Sequence, residues 1–164
     1  MQKIETIEER GNLYQRLSRV MSEAGTMHKG GLNDFSGYTY VKASDVAQKF
    51  QQLLLAHGVF VTANVEEVTR KQVESAKGKS QMYVGVKVLY TFINIDNPVD
   101  RFVVQAVGDG MDTGDKGIYK ALTGSQKYLF SLNFCMGSTD DAETESPELG
   151  GLVDKGEGDG SFNF

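Results

Sequence analysis

The chain has 164 residues, of which 40% are hydrophobic and 24% charged, as expected for one globular domain with a tail. Its apolar runs are a few residues long, which excludes a membrane-spanning helix, and its one cysteine, Cys135, excludes an internal disulfide and a cysteine-based metal cluster. The net charge of −5 is uneven: residues 1–139 carry sixteen Lys/Arg and fourteen Asp/Glu, whereas the residues from Asp140 onward carry one lysine and eight acids. The acidic total therefore does not exclude a polyanionic partner.

The first third of the chain predicts two helices and one short strand. Apolar residues recur at helical spacing over Glu5 to Ala24, and Gly25 stands where a C-capping glycine would. The aromatic stretch from Asp34 to Val41 predicts a short strand or extended segment. Ser44 is expected to cap a second helix that ends at His57-Gly58. The predicted buried stripe of this helix consists of Val46, Ala47, Phe50, Leu53 and Leu54.

Three alternating apolar patterns follow and predict an antiparallel meander of three strands. The first strand begins at Val59, and the third carries its pattern over residues 102–106. In the second strand, the alternation leaves Tyr83, Lys87 and Thr91 on the face opposite the apolar residues. The basic stretch from Arg70 to Lys79 predicts a long, mobile connection between the first two strands.

The stretch from Gly114 to Asp141 carries the most distinctive pattern. Asp115 can cap a proline-free helix that runs to about residue 134. At about 100° per residue, Lys116, Lys120 and Lys127 fall in one line, which is either a solvated helix face or a contact for phosphate. The opposite side is apolar: Ile118, Ala121, Leu122, Ser125, Tyr128, Leu129 and Leu132. Two further residues lie off that apolar arc: Phe130 and Phe134.

The order of these elements predicts an α+β domain over residues 1–141. An antiparallel three-stranded sheet would pack on the long helix, and two N-terminal helices would precede it. The second face of the sheet would be covered by the N-terminal helices or by a neighbouring subunit. Residues 142–164 are rich in acids and glycine and predict an acidic, disordered C-terminal tail. The first ten residues contain no apolar run, so we expect no secretory signal.

No catalytic arrangement of residues stands out. The glycine- and aspartate-rich run from Gly108 to Lys116 lacks the Gly-Lys-Ser/Thr of a phosphate-binding Walker loop. Its Asp109, Asp112 and Asp115 could hold Mg²⁺, but their spacing matches no metal-binding signature, so a plain strand-to-helix loop is favoured. Cys135 is expected to be a buried small residue. The sequence therefore predicts no enzyme and no cofactor.

The remaining signal is a mixture of basic and aromatic residues in the last helix, the middle strand and the predicted hairpin connection. Lysines can pair with the phosphates of a single-stranded nucleic acid, while tyrosines stack on its bases or pack against a neighbouring subunit. The candidates for binding DNA are Lys116, Lys120, Lys127, Lys87, Arg70, Lys71, Tyr83, Tyr119 and Tyr128.

The last helix carries the pattern D-K-x-x-x-K-A-x-T-x-x-x-K-Y from Asp115, followed by a phenylalanine and then by T-D-D-x-E. Upstream, Tyr38-x-Tyr40 and the helix end at His57-Gly58 add a weaker likeness. Over about residues 5–145 the chain resembles the ERF family of phage-type single-strand annealing proteins. It departs from the family at Ala142, where we expect the proline of Asp-Asp-Pro-Glu.

This resemblance implies a Rad52-like β-β-β-α core, which is the element order predicted above. It also implies a homo-oligomeric ring or filament that binds single-stranded DNA and anneals complementary strands without ATP, in DNA recombination and repair. A nuclease of the bacteriophage or its host, or a single-strand-binding protein, would be a partner, and a membrane would not. The expected location is the cytoplasm of a bacterial host cell.

Two other functions stay open at this point. The chain could be an oligomeric scaffold that binds no DNA and recruits a partner through its acidic tail. It could also be a metal-dependent nuclease that uses the loop from Asp109 to Asp115. The tail ends in Ser161 to Phe164 and resembles the acidic tip of single-strand-binding proteins. It would then compete with DNA for the basic surface or recruit a partner, and a merely solubilising tail is the alternative.

Overall fold

The computed structural model describes residues 10–33, 37–74 and 78–137, which form an α+β domain. In chain order the elements are α1 (Leu13–Ala24), β1 (Gly31–Asn33), β2 (Tyr38–Tyr40), α2 (Ala43–Ala56), β3 (Val59–Glu74), β4 (Ser80–Asn94), β5 (Arg101–Asp112) and α3 (Gly117–Asn133). The predicted fold class, with two helices before a three-strand meander and a long helix after it, is confirmed. None of the helices among the described residues is long and apolar enough to cross a membrane.

The main sheet has the strand order β3-β4-β5, and both pairings are antiparallel. Along β4, the even-numbered residues from Val84 to Asn94 are buried and the odd-numbered residues are half-buried. We call the side of the buried residues the inner face and the opposite side the outer face. Tyr83, Lys87 and Thr91 lie on the outer face, as the alternation predicts.

Aromatic rings form the centre of the core on the inner face. Phe50 of α2 stacks on Phe130 of α3 with 4.4 Å between ring centroids, and Phe92 of β4 and Phe134 lie against them. The predicted apolar arc of α3 left out Phe130, which is buried because α2 packs against that part of the helix. The arc also included Tyr128, which is 55% exposed. The prediction is therefore wrong at both of these residues.

The N-terminal helices lie on the same side of the sheet as α3. Tyr14 of α1 contacts Phe102 of β5 with 5.9 Å between ring centroids, and Phe102 belongs to the inner face together with its strand partner Phe92. The prediction that the N-terminal helices cover the second face of the sheet is therefore wrong, because they lie on the inner face. A neighbouring subunit stays a prediction.

Two glycines let α3 approach β5 closely. A Cβ atom on Gly110 would lie 2.6 Å from the carbonyl oxygen of Gly117, and a Cβ atom on Gly108 would overlap the carbonyl oxygen of Ala121. Both glycines lie within β5, so the loop predicted to begin at Gly108 begins only after Asp112. The glycine run serves helix-to-sheet packing rather than a turn.

Arg16 fastens α1 to the sheet although its side chain is only 1% exposed. Its guanidinium donates hydrogen bonds to the carbonyl oxygen of Gly58 at 3.0 Å and to Asp96 Oδ2 at 2.8 Å. Gly58 has a φ of +64°, and a Cβ atom there would lie 2.7 Å from Arg16 Nη1. Both the turn after α2 and the contact with Arg16 therefore require glycine.

Helix ends differ from the predictions in three places. The first predicted helix is broken at Gly11, which has a φ of +72°, and Asn12 caps α1. α2 begins before Ser44, so this residue does not cap it. α3 begins after Asp115, which makes no cap. The predicted ends of α1 at Gly25 and of α2 at residue 57 are confirmed. The part of the first predicted helix before residue 10 lies outside the described residues.

The predicted mobile connection from Arg70 to Lys79 is wrong over half of its length. Residues 70–74 continue β3 and pair with residues 80–84 of β4. Residues 75–79 connect the strands, and residues 75–77 lie outside the described residues. Nearly all of β3 at this end is exposed, so the strand continues without the apolar alternation that marks a half-buried strand.

Cys135 is exposed, contrary to the prediction. Phe134 takes the buried position at the end of α3, and Cys135 follows it with a φ of +48°. The cysteine side chain therefore lies outside the core, whereas the next residue, Met136, packs against it. The predicted acidic tail, residues 142–164, lies outside the described residues.

Candidate functional site

A groove of about 740 Å³ is lined by outer-face residues of β3, β4 and β5 and by residues of α3, which packs on the inner face against β5. Its lining includes four of the predicted DNA-binding residues: Lys71, Tyr83, Lys87 and Tyr128. The other lining residues include the acids Glu67 and Asp109, the amides Gln105 and Asn133, and the apolar Val107 and Leu132. Three strands and one helix thus bring basic, aromatic and apolar side chains to one groove.

Strand register brings Lys71, Tyr83 and Lys87 together. Lys71 of β3 is the cross-strand partner of Tyr83 of β4, and Glu67 is the partner of Lys87. Tyr83 and Lys87 share the outer face because alternate residues of a strand point the same way. Between them lies Gly85, where a Cβ atom would be 3.4 Å from the Tyr83 hydroxyl. The tyrosine therefore leans over a position that has no side chain.

Lys87 forms an ion pair within the groove. Its Nζ lies 2.9 Å from Glu67 Oε2, and the two side chains are 40% and 59% exposed. The hydrogen bond from Lys87 lowers the pKa of Glu67, and the same bond raises the pKa of Lys87. Both groups are therefore charged at neutral pH.

Tyr128 brings α3 into the groove. It is 55% exposed, and the ammonium of Lys127 lies 5.6 Å from the centroid of its ring. A cation at this distance over an aromatic face is attracted by the ring quadrupole. Lys127 therefore lies at the margin of the groove although it is not part of the lining.

Lys120 and Lys127 lie on α3 and Lys116 precedes it as the N-cap residue, and none of the three lines the groove. Lys120 Nζ donates to the carbonyl oxygen of Met111 at 2.9 Å and to Asp112 Oδ2 at 2.5 Å. The hydrogen bond from Lys120 lowers the pKa of Asp112. Met111 is the strand partner of Tyr83, so Lys120 lies one strand away from a groove residue. Lys116 is exposed at the start of α3.

Arg70 and Tyr119 lie apart from the groove. Arg70 pairs with Val84, an inner-face residue, so it lies on the opposite face of β3 from its neighbour Lys71. Tyr119 is 66% exposed, nine residues before Tyr128 on α3. Nine residues correspond to about two and a half turns, so the two rings lie on opposite sides of the helix.

The comparison with known families agrees with these elements. A protein-family model described as ERF superfamily matches residues 13–148, which include the whole sheet, α3 and every groove residue. The chain belongs to the ERF superfamily. Membership supports a general role in recombination by single-strand annealing. No curated protein matches the chain.

The aspartates of this ERF protein do not converge. Asp109 is paired with Gly85 on the outer face, whereas Asp112 is paired with Met82 on the inner side of the same strand. In the described part of the chain, no group of three His, Cys, Asp or Glu side chains could hold a metal ion. The arrangement does not favour the magnesium site considered from the sequence.

The apolar side chains of the groove and of the outer face in this ERF protein are not among the site residues predicted from the sequence. Four large side chains of the outer face are at least half exposed: Phe60, Val103, Val107 and Met111. A signal was present, because β5 carries valine at two neighbouring positions, 103 and 104, which puts one valine on each face. The outer face is therefore partly apolar as well as basic.

Proposed function

We propose that the chain binds single-stranded DNA along the groove of the outer face and anneals complementary strands without ATP, as a homo-oligomer. The observation that carries this proposal is that Lys71, Lys87, Tyr83 and Tyr128 line one groove. Cations and aromatic rings in one furrow are the combination that binds single strands without sequence preference. The family match supports the same role in general terms.

The chemistry of the groove suits annealing. Lys71 and Lys87 would hold phosphates, while Tyr83 and Tyr128 would stack on bases. Annealing needs a backbone that is held and bases whose pairing edges stay free, and contacts to phosphate leave those edges free. Two lysines would add positive charge along the flank of α3. Lys127 lies over the ring of Tyr128, and Lys120 donates a hydrogen bond to Met111 next to the groove.

The charged side chains that line the groove of a single subunit cancel, since Glu67 and Asp109 balance Lys71 and Lys87. A net positive charge would come from Lys127 at the margin of the groove. Copies of the chain arranged side by side would join these lysines into one track, because the potential of many like charges adds along a surface. We therefore propose that binding requires the oligomer.

The two edge strands of the sheet, β3 and β5, offer surfaces for contacts between the copies of such an oligomer. In the described residues, β3 and β5 each pair with β4 on one side only. Val65 and Val68 of β3 are 45% and 36% exposed, and Leu55 near the end of α2 is 71% exposed. An unpaired strand edge beside exposed apolar side chains is suited to contact with another copy. Three predicted DNA-binding residues lie outside the groove: Arg70, Lys116 and Tyr119. They would contact another copy of the chain or bind DNA next to the groove.

The experiment is a fluorescence-anisotropy titration of an unstructured DNA oligonucleotide, repeated at two salt concentrations. Changing both Lys71 and Lys87 to Gln should weaken binding and make the log–log salt slope shallower by about 0.7 for each lost phosphate contact. The matched control is Lys42→Gln together with Lys49→Gln, which removes the same charge from α2 and its start. Equal slopes for the two double variants would contradict the proposal, and no binding by the wild type would favour a scaffold without DNA.

A further inference from the structure

Glu67 reaches the groove because of an irregularity in β3. The register of β3 against β4 shifts between Val65 and Glu67, so that Val65 pairs with Val88 and Glu67 pairs with Lys87. Without the extra residue, strict alternation would put Glu67 on the same face as Val65, the inner face. The bulge therefore carries a carboxylate to the outer face, directly opposite a groove lysine.

The result is a lysine that already holds an anion. Lys87 Nζ lies 2.9 Å from Glu67 Oε2, and both residues line the groove. A phosphate that approaches Lys87 must displace this carboxylate or share the ammonium with it. Because the pair is about half exposed, its net strength is small, and water or phosphate can take the place of Glu67.

The same relationship occurs a second time on the flank of α3. Lys120 Nζ lies 2.5 Å from Asp112 Oδ2, and the lysine side chain is 51% exposed. Two of the cations proposed to contact phosphate thus each carry an internal carboxylate partner. In both pairs the acid comes from a strand that neighbours the lysine, so the acid moves with the site.

We propose that Glu67 is a built-in competitor for Lys87 that limits how tightly the groove holds phosphate. This inference rests on the proposed binding of single-stranded DNA. A limited grip suits annealing, since each strand must leave the groove once its duplex has formed. Removing the competitor would make binding tighter and release slower.

The test compares Glu67→Gln with Glu66→Gln in the anisotropy titration. Glu66 is the neighbouring residue in the bulge, so both variants remove one negative charge from nearly the same position, but only the first removes the carboxylate bonded to Lys87. We expect Glu67→Gln to bind about two- to fivefold tighter than Glu66→Gln. We also expect its salt slope to be steeper, by less than the roughly 0.7 of one full phosphate contact, because Glu67 keeps Lys87 from phosphate for only part of the time in the wild type.

A second pair of variants separates contact from charge. In a Lys87→Gln background, Glu67→Gln and Glu66→Gln should become equal, because the cation for which Glu67 competes is gone. Glu67→Asp keeps the charge but shortens the side chain, and it should bind more tightly than the wild type if contact with Lys87 is what matters. Thermal unfolding of each variant checks that the fold is kept.

The outcomes are distinguishable. If the wild type and all variants fail to bind DNA, the proposed function itself is wrong. If the wild type binds and Glu67→Gln and Glu66→Gln have the same affinity and salt slope, the inference about Glu67 is wrong while the proposed function stands. If the difference between them persists without Lys87, Glu67 acts through some other group, and the inference is again wrong.

Discussion

Tyr119 and Tyr128 lie on opposite sides of α3, and only Tyr128 lines the groove. Their exposures are similar, 66% and 55%, so burial does not distinguish them. Their separation of nine positions turns the helix by about half a revolution beyond two full turns. The pair therefore offers a direct comparison between a ring inside the groove and a ring outside it.

Tyr128→Ala should weaken binding of single-stranded DNA by about 1–3 kcal/mol, because it removes a ring on which a base can stack. Tyr119→Ala, from the other side of the same helix, should weaken binding less than Tyr128→Ala, provided that gel filtration shows the same oligomer for both variants. Tyr128→Phe keeps the ring and should bind like the wild type. Anisotropy titrations measure all three, and equal losses for Tyr128→Ala and Tyr119→Ala would show that the groove does not hold the bases.

Gly110→Ala should destabilise the fold by about 1–3 kcal/mol, because its Cβ atom would lie 2.6 Å from the Gly117 carbonyl oxygen and push α3 away from β5. The control is Gly85→Ala on the outer face, where the nearest atom, the Tyr83 hydroxyl, lies at an ordinary contact distance of 3.4 Å. Urea unfolding gives the two free energies. The packing described for α3 is wrong if Gly85→Ala is the more damaging change.

The Arg16–Asp96 contact should make stability depend on pH. The hydrogen bond from Arg16 lowers the pKa of Asp96 below its usual 3.8. A carboxyl whose pKa is lower in the folded state stabilises the fold fully above the unfolded pKa, and this contribution is lost as the pH falls through the folded pKa. Asp96→Asn should therefore unfold at a lower temperature than the wild type at pH 7, and the difference should narrow below about pH 4.

Thermal unfolding of both proteins between neutral and strongly acid pH measures this effect. The control is Asp109→Asn, an exposed carboxylate on the outer face. A wild-type advantage over Asp96→Asn that stays constant across the acid range would mean that the charge of Asp96 contributes nothing to the fold.

Replacing Arg16 should destabilise the fold more than replacing an exposed arginine. Arg16→Met keeps the apolar length of the side chain but removes the hydrogen bonds that the guanidinium donates to the carbonyl oxygens of Gly11 and Gly58 and to Asp96. A hydrogen bond from a charged group contributes about 1.5–3 kcal/mol. Urea unfolding measures the loss, and the exposed Arg101→Met is the control. Equal stabilities of the two variants would show that the hydrogen bonds of Arg16 do not hold α1 in place.

Most of the fold could be predicted because its elements are long and periodic. The alternation along β4 predicts which residues face the core, and Tyr83 and Lys87 lie where it indicates. The extent of β3 could not be predicted, since residues 70–74 are largely exposed and carry no apolar alternation. Local periodicity describes one element at a time, and an edge strand with two exposed faces leaves little trace in it.

The candidate site was harder to predict because it depends on how elements meet. Helical spacing predicts one line for Lys116, Lys120 and Lys127, yet it cannot show that the groove is lined by Tyr128 instead. The contact between Glu67 and Lys87 depends on a one-residue bulge and on strand register, and neither appears in the pattern of either strand. Pairing across strands is a tertiary property.

The proposed function is that the protein binds single-stranded DNA in the outer-face groove and anneals complementary strands there. Two complementary oligonucleotides are mixed with the protein in the absence of ATP, and duplex formation is timed by the quenching of a fluorophore on one strand. The wild type and the Lys42→Gln, Lys49→Gln variant should accelerate duplex formation, whereas the Lys71→Gln, Lys87→Gln variant should not. No acceleration by the wild type, or equal acceleration by both double variants, would contradict the account.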